Sequence, residues 1–62
     1  MMISEYKSND GLKIATVFKR DTSYRVFMHD SYFDISNEKF FDVLGSAEDF
    51  AEDYVLGKNN GT

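Results

Sequence analysis

The chain has no cysteine, no proline and no tryptophan, and its single histidine is His29. Without cysteine there is neither a disulfide framework nor a thiolate metal site, so the staples that hold many very small folds together are missing. No apolar run approaches the ~18 residues of a membrane span, and no charged-then-apolar signal segment opens the chain. The expectation is a cytoplasmic protein with no membrane association. A glycine loop able to cradle phosphate is also lacking, because Asn9-Asp10-Gly11 has neither a second glycine nor a lysine.

What is present is 62 residues, 42% hydrophobic and 16% aromatic, enough for one domain and no second core. A core of this size supplies about 3–5 kcal/mol. So thin a margin makes self-association a reasonable expectation, since a dimer hides apolar surface that a lone protomer leaves wet.

The net charge of -4 is unevenly spread. In residues 1–28, Lys7, Lys13, Lys19, Arg20 and Arg25 outnumber Glu5, Asp10 and Asp21. In residues 29–62, Lys39 and Lys58 stand against Asp30, Asp34, Glu38, Asp42, Glu48, Asp49, Glu52 and Asp53. The molecule is expected to be polarised, with a weakly cationic sheet side and an anionic helical side that favours basic partners. Scattered surface charge that merely keeps a small domain soluble is the plainer explanation.

The segment Ser46 to Gly57 carries the strongest local signal. Ala47, Phe50, Ala51, Tyr54 and Val55 follow the i, i+3, i+4, i+7, i+8 spacing of a buried helical stripe. Glu48, Asp49, Glu52 and Asp53 occupy the opposite side as four carboxylates with no cation among them. Ser46 is expected to cap the helix, Asp49 to complete a capping box, and Gly57 to stop it. The polar residues 58–62 read as a mobile tail.

Upstream, period-two patterning dominates. Ile3 to Lys7 suits a short edge strand, and Asn9-Asp10-Gly11 a turn. Leu12, Ile14, Thr16 and Phe18 alternate with Lys13, Ala15, Val17 and Lys19. Tyr24, Val26 and Met28 alternate with Arg25, Phe27 and His29. The two form a hairpin with a four-residue loop, Arg20 to Ser23, and Leu12, Ile14, Phe18, Tyr24, Val26 and Met28 are expected to face the helix. His29-Asp30-Ser31 reads as a tight turn and Tyr32 to Ile35 as a strand. Asn37 to Leu44 fits either a strand or a short helix capped by Asn37 and ended by Gly45. The fold class is α+β: a three-stranded antiparallel sheet, four-stranded if every extended segment pairs, followed by one C-terminal amphipathic helix packed on one face.

Candidate chemistry is sparse. His29 beside Asp30, with Ser31 and Asp34 near, invites a general base, but neighbours on a strand point to opposite faces. Asp30, Asp34 and Glu38 recur every four residues without the alternating ligands and central glycine of a calcium loop. Carboxylates on one helix can attract a cation but cannot surround it. No enzyme activity, cofactor or metal site is therefore expected. Lys13, Lys19, Arg25 and Phe27 are the alternative site, a sheet face on which a stacking ring sits among cations and could take single-stranded nucleic acid. The sequence pI of 4.6 argues against it.

Lys19-Arg20-Asp21 and the helix from Ala47 to Gly57 resemble small accessory proteins of myovirus-type tailed phages, including cyanophages. These join a strand-rich half bearing a Lys-Arg-Asp turn to a closing helix of the pattern Ala-Glu-Asp-x-Ala-Glu-[Asn/Asp]-[Trp/Tyr]-Val-x-Gly. Residues 29–45 depart from the pattern. The resemblance implies an accessory product in host cytoplasm, transfers no catalytic residue, and tilts residues 37–44 towards an extended segment. A sheet placed before an amphipathic helix is also similar to antitoxin domains of the HicB type, a resemblance of architecture that transmits no function.

The expected function is thus a non-enzymatic protein that contacts a host or phage protein through Glu48, Asp49, Glu52 and Asp53. The alternative is a structural homodimer built on Phe33, Phe40, Phe41 or the strand Ile3 to Tyr6.

Overall fold

The computed structural model describes residues 1–57; the tail expected at 58–62 lies outside them. Four strands, β1 (Met2–Lys7), β2 (Lys13–Arg20), β3 (Ser23–Asp30) and β4 (Ile35–Phe41), form one antiparallel sheet in the order β1-β2-β3-β4, and the helix α1 (Leu44–Leu56) follows. The expected α+β fold is what the chain adopts, with the fourth strand paired. The helix lies on one face, chiefly over β2 and β3.

Each hairpin is set by a local device. Between β1 and β2 the Asp10 carboxylate accepts the Ser8 hydroxyl at 2.6 Å and the Leu12 N–H at 3.0 Å, and Gly11 takes φ 75°. These two hydrogen bonds, the Ser8 one foremost, hold the Asp10 carboxyl below its ordinary pKa. The β2–β3 connection is shorter than expected. Arg20 pairs with Ser23, which leaves only Asp21 and Thr22 in the loop.

After β3 the expected tight turn at His29 to Ser31 is displaced. Asp30 still belongs to the strand, and its Oδ1 accepts the N–H groups of Tyr32 at 2.9 Å and Phe33 at 3.3 Å. This side-chain bridge bends the backbone that follows, and Asp34, at φ 55°, completes the reversal. Tyr32 and Phe33 therefore lie in the turn instead of a strand. Of the two alternatives for residues 37–44 the extended one holds to Phe41.

The helix also begins earlier than expected. Its N-cap is Val43, without a side-chain cap, and Gly45 and Ser46 lie inside the first turn, so Ser46 cannot cap and no capping box forms. Leu44 explains the shift: it packs against the core, and tertiary burial outweighs the lost cap. Gly57 stops the helix as expected, in the left-handed conformation, with its N–H reaching the Asp53 and Tyr54 carbonyls.

The buried cluster is Ala15, Val17, Val26, Met28, Ala47, Ala51 and Val55, walled by half-buried Tyr6, Tyr24, Phe41, Leu44, Phe50 and Tyr54. The expected phase of β2 is inverted. Ala15 and Val17 pair with Met28 and Val26 and face the helix, which sends Ile14, Thr16 and Phe18 to the opposite face. Alternation alone misleads because both sides of β2 are apolar. Lys13 and Lys19, which looked solvent-facing, stand on the helix side at the strand ends. There they reach past the core to lie over aromatic rings, Lys13 Nζ 5.7 Å from the Tyr54 centroid and Lys19 Nζ 4.5 Å from that of Tyr24.

Because Ala15, Ala47 and Ala51 are fully buried where helix meets sheet, that part of the seam has no room for a larger side chain. Ala51→Leu is expected to cost about 1–3 kcal/mol by overpacking, a large share of the total, and to lower the urea midpoint accordingly; an unchanged midpoint would mean that the helix is not seated on the sheet.

Candidate binding surface

Two surfaces carry the candidate residues, and strand register assigns them. On the helix, Asp49 and Glu52 are exposed, whereas Glu48 and Asp53 are half-buried. Glu48 turns towards β1, where its Oε2 accepts the Ser4 hydroxyl at 2.7 Å. The quartet read from helical spacing is therefore a narrower ridge, with one member tied to the sheet.

The sheet face left uncovered by the helix is more populated. Arg25 on β3 pairs with Phe18 on β2 and Phe40 on β4, and Phe27, two residues along β3, pairs with Thr16 and Glu38. The Arg25 guanidinium sits 5.3 Å from the Phe18 ring centroid and 5.4 Å from that of Phe27, while Arg25 Nη2 lies 2.8 Å from Glu38 Oε2. Arg20 reaches across to Phe40, at 5.7 Å. The ion pair is part-exposed, 30% and 47%, so its own contribution is at most about 1 kcal/mol. Its structural effect is to tether the guanidinium beside the Phe18 and Phe27 rings.

Of the alternative quartet, Arg25 and Phe27 share this open face, whereas Lys13 and Lys19 lie on the other side of the sheet. The grouping expected from alternation is divided by the inverted phase of β2. Phe18, Phe40 and Arg20 were not in it. A single-strand pattern cannot reveal them, because they come together only through cross-strand register.

His29 and Asp30 face opposite ways, as strand geometry demands. His29 Nδ1 is hydrogen-bonded to the Ser36 hydroxyl at 2.8 Å, and Asp30 is occupied by the turn it organises. Among the described residues no group of His, Asp and Glu is arranged to hold a metal ion, and no helix is long and apolar enough to cross a membrane. Comparison with protein-family models, curated proteins and solved structures finds no match.

Two phenols report on the helix–sheet contact. Burial, and secondarily the Glu48 carboxylate, pushes the Tyr6 pKa above its ordinary value; burial, and secondarily Asp30, does the same for Tyr54. A raised phenol pKa leaves folding stability intact below the ordinary value of about 10. Above it the unfolded chain ionises first, so stability falls as pH rises through the folded-state value. Alkaline titration followed by tyrosinate absorbance is expected to show these phenols ionising above the ordinary range, and Glu48→Gln is expected to bring the Tyr6 transition to lower pH. If Tyr6 and Tyr54 titrated as free phenols, the helix would not be closed over them.

Proposed function

We propose that this is a non-enzymatic contact module that meets a partner protein with the open face of its sheet. The carrying observation is the Arg25 guanidinium held between Phe18 and Phe27 on the uncovered face, with Phe40 beside it on β4. Arginine and aromatic side chains are enriched among the residues that dominate binding energy at protein interfaces, and arginine ordinarily gives up considerable side-chain freedom on binding. Here both are already ordered. The ordering cost of association is correspondingly reduced.

A second reading is supported by Asp49 and Glu52, which stand exposed on the helix and favour a basic partner. The resemblance of Lys19-Arg20-Asp21 and the closing helix to phage accessory proteins supports an origin as such a product, with a host or phage protein as the partner. Single-stranded nucleic acid on the aromatic face is the weaker alternative: Glu5 and Glu38 share that face with Lys7, Arg20 and Arg25, which dilutes the cationic field that phosphate binding requires.

Affinity capture from expressing cells tests these readings together. Arg25→Ala and Phe27→Ala are each expected to weaken capture of the partner by about 2 kcal/mol, roughly 30-fold, with circular dichroism unchanged. Loss instead in an Asp49→Lys, Glu52→Lys double variant moves the contact to the helix. Capture indifferent to all of them refutes the contact-module reading, and salt-sensitive binding of single-stranded oligonucleotide would put nucleic acid in its place.

A further inference from the structure

The two edges of the sheet are not alike. β1 is irregular, its register with β2 shifting between Met2 and Ser4, and such a bulge discourages pairing with another chain. β4 is paired with β3 without interruption from Ile35 to Phe41, contains neither glycine nor proline, and is exposed along its length up to Phe40. It carries two charges, Glu38 and Lys39, of the kind that ordinarily guard an edge. Both are drawn inward. Glu38 is bound to Arg25 over the open face, and Lys39 Nζ lies 5.1 Å from the Phe50 ring centroid over the helix face. The outward backbone N–H and C=O groups of β4 are left without a charged screen. Exposed Tyr32, Phe33, Ile35, Phe40 and Val43 flank the strand at its two ends.

We infer that the β4 edge pairs antiparallel with β4 of a second copy, about a two-fold axis at Asn37. The occupant follows from charge and register. A two-fold axis normal to an antiparallel pair must pass through one residue facing its own copy, so the registers are few. An axis at Glu38 or Lys39 sets like charges face to face. An axis at Ser36 opposes Asp34 to Glu38, and one at Phe40 opposes Glu38 to Asp42. An axis at Ile35 or Phe41 lies at a strand end and leaves most of β4 unpaired, so the Asn37 register is the one that pairs the strand without such a conflict. Two Asn37 amides meet, each able to donate and accept, Ser36 faces the partner's Glu38, and Ile35 faces the aliphatic stem of the partner's Lys39. The result is one continuous sheet twice as wide, with both helices on the same side and both open faces still available. This pairing uses backbone groups that the proposed contact face does not, so either reading can fail without the other.

The native absence of cysteine makes the test direct. Asn37→Cys is expected to form an intermolecular disulfide under mild oxidation, since opposed residues in an antiparallel pair bring their Cβ atoms within about 5 Å, near disulfide geometry; Glu5→Cys on the bulged edge serves as the control. Sedimentation of the native chain is expected to show a monomer–dimer equilibrium. Asn37→Lys, which sets two ammonium groups on the axis, is expected to abolish the dimer with circular dichroism and melting of the monomer unchanged. A native chain that stays monomeric at the highest soluble concentration overturns the proposal, as does Asn37→Cys cross-linking no faster than the control. A dimer that survives Asn37→Lys but is lost in Phe27→Ser would show that copies meet through their open faces, and would overturn it equally.

Discussion

Everything in this fold depends on small side chains meeting at one seam. Ala47, Ala51 and Val55 on the helix and Ala15, Val17, Val26 and Met28 on the central strands are the buried residues that join the two layers, and the largest fully buried side chains are only valines. Small residues let the helix axis come close to the sheet, and the aromatic residues are displaced to the rim. There Tyr6, Tyr24, Phe41, Phe50 and Tyr54 shield the seam from water while keeping their polar or π faces available to Lys13, Lys19 and Lys39. The rings thus act as walls of the core and as seats for cations that would otherwise lie unpaired beside it.

A core confined to one face leaves the rest of the apolar content outside it. Ile14, Phe18, Phe27 and Phe40 stand on the second face of the sheet, with the Phe18 and Phe27 rings beside Arg25, Phe40 opposite it on β4, and Ile14 farther along β2 opposite His29. The charges complete the arrangement by being used locally: Glu48 on Ser4, Glu38 on Arg25, Asp10 and Asp30 on their own turns. Four of the eleven acidic side chains are in this way committed to holding backbone and strands. Asp49 and Glu52 are what remains of the anionic ridge, and the arginine–phenylalanine face becomes the more structured of the two surfaces.

Legibility varied with the range of the interaction. The helix and its glycine stop depend on contacts within four residues, and the stripe from Ala47 to Val55 could be read directly. The first strands were visible from alternation and from Asn9-Asp10-Gly11. Helix start, loop lengths and strand phase were not. Leu44 lengthens the helix through contact with distant strands, Asp30 holds a turn one step later than its neighbours suggest, and β2 is apolar on both sides, so alternation cannot say which side is inside.

Taken alone, the order of residues determined the α+β class, the absence of disulfide and thiolate chemistry, the closing helix and an excess of carboxylates, because these rest on composition and short-range periodicity. Only the tertiary structure decided that Lys13 and Lys19 sit beside the helix, that Phe18, Phe27 and Phe40 gather about Arg25, and that β4 is left as the open edge. Those outcomes follow from cross-strand register. A shift of one residue exchanges the two faces of a strand, and register is selected by the fit of the whole seam instead of by any local run of side chains.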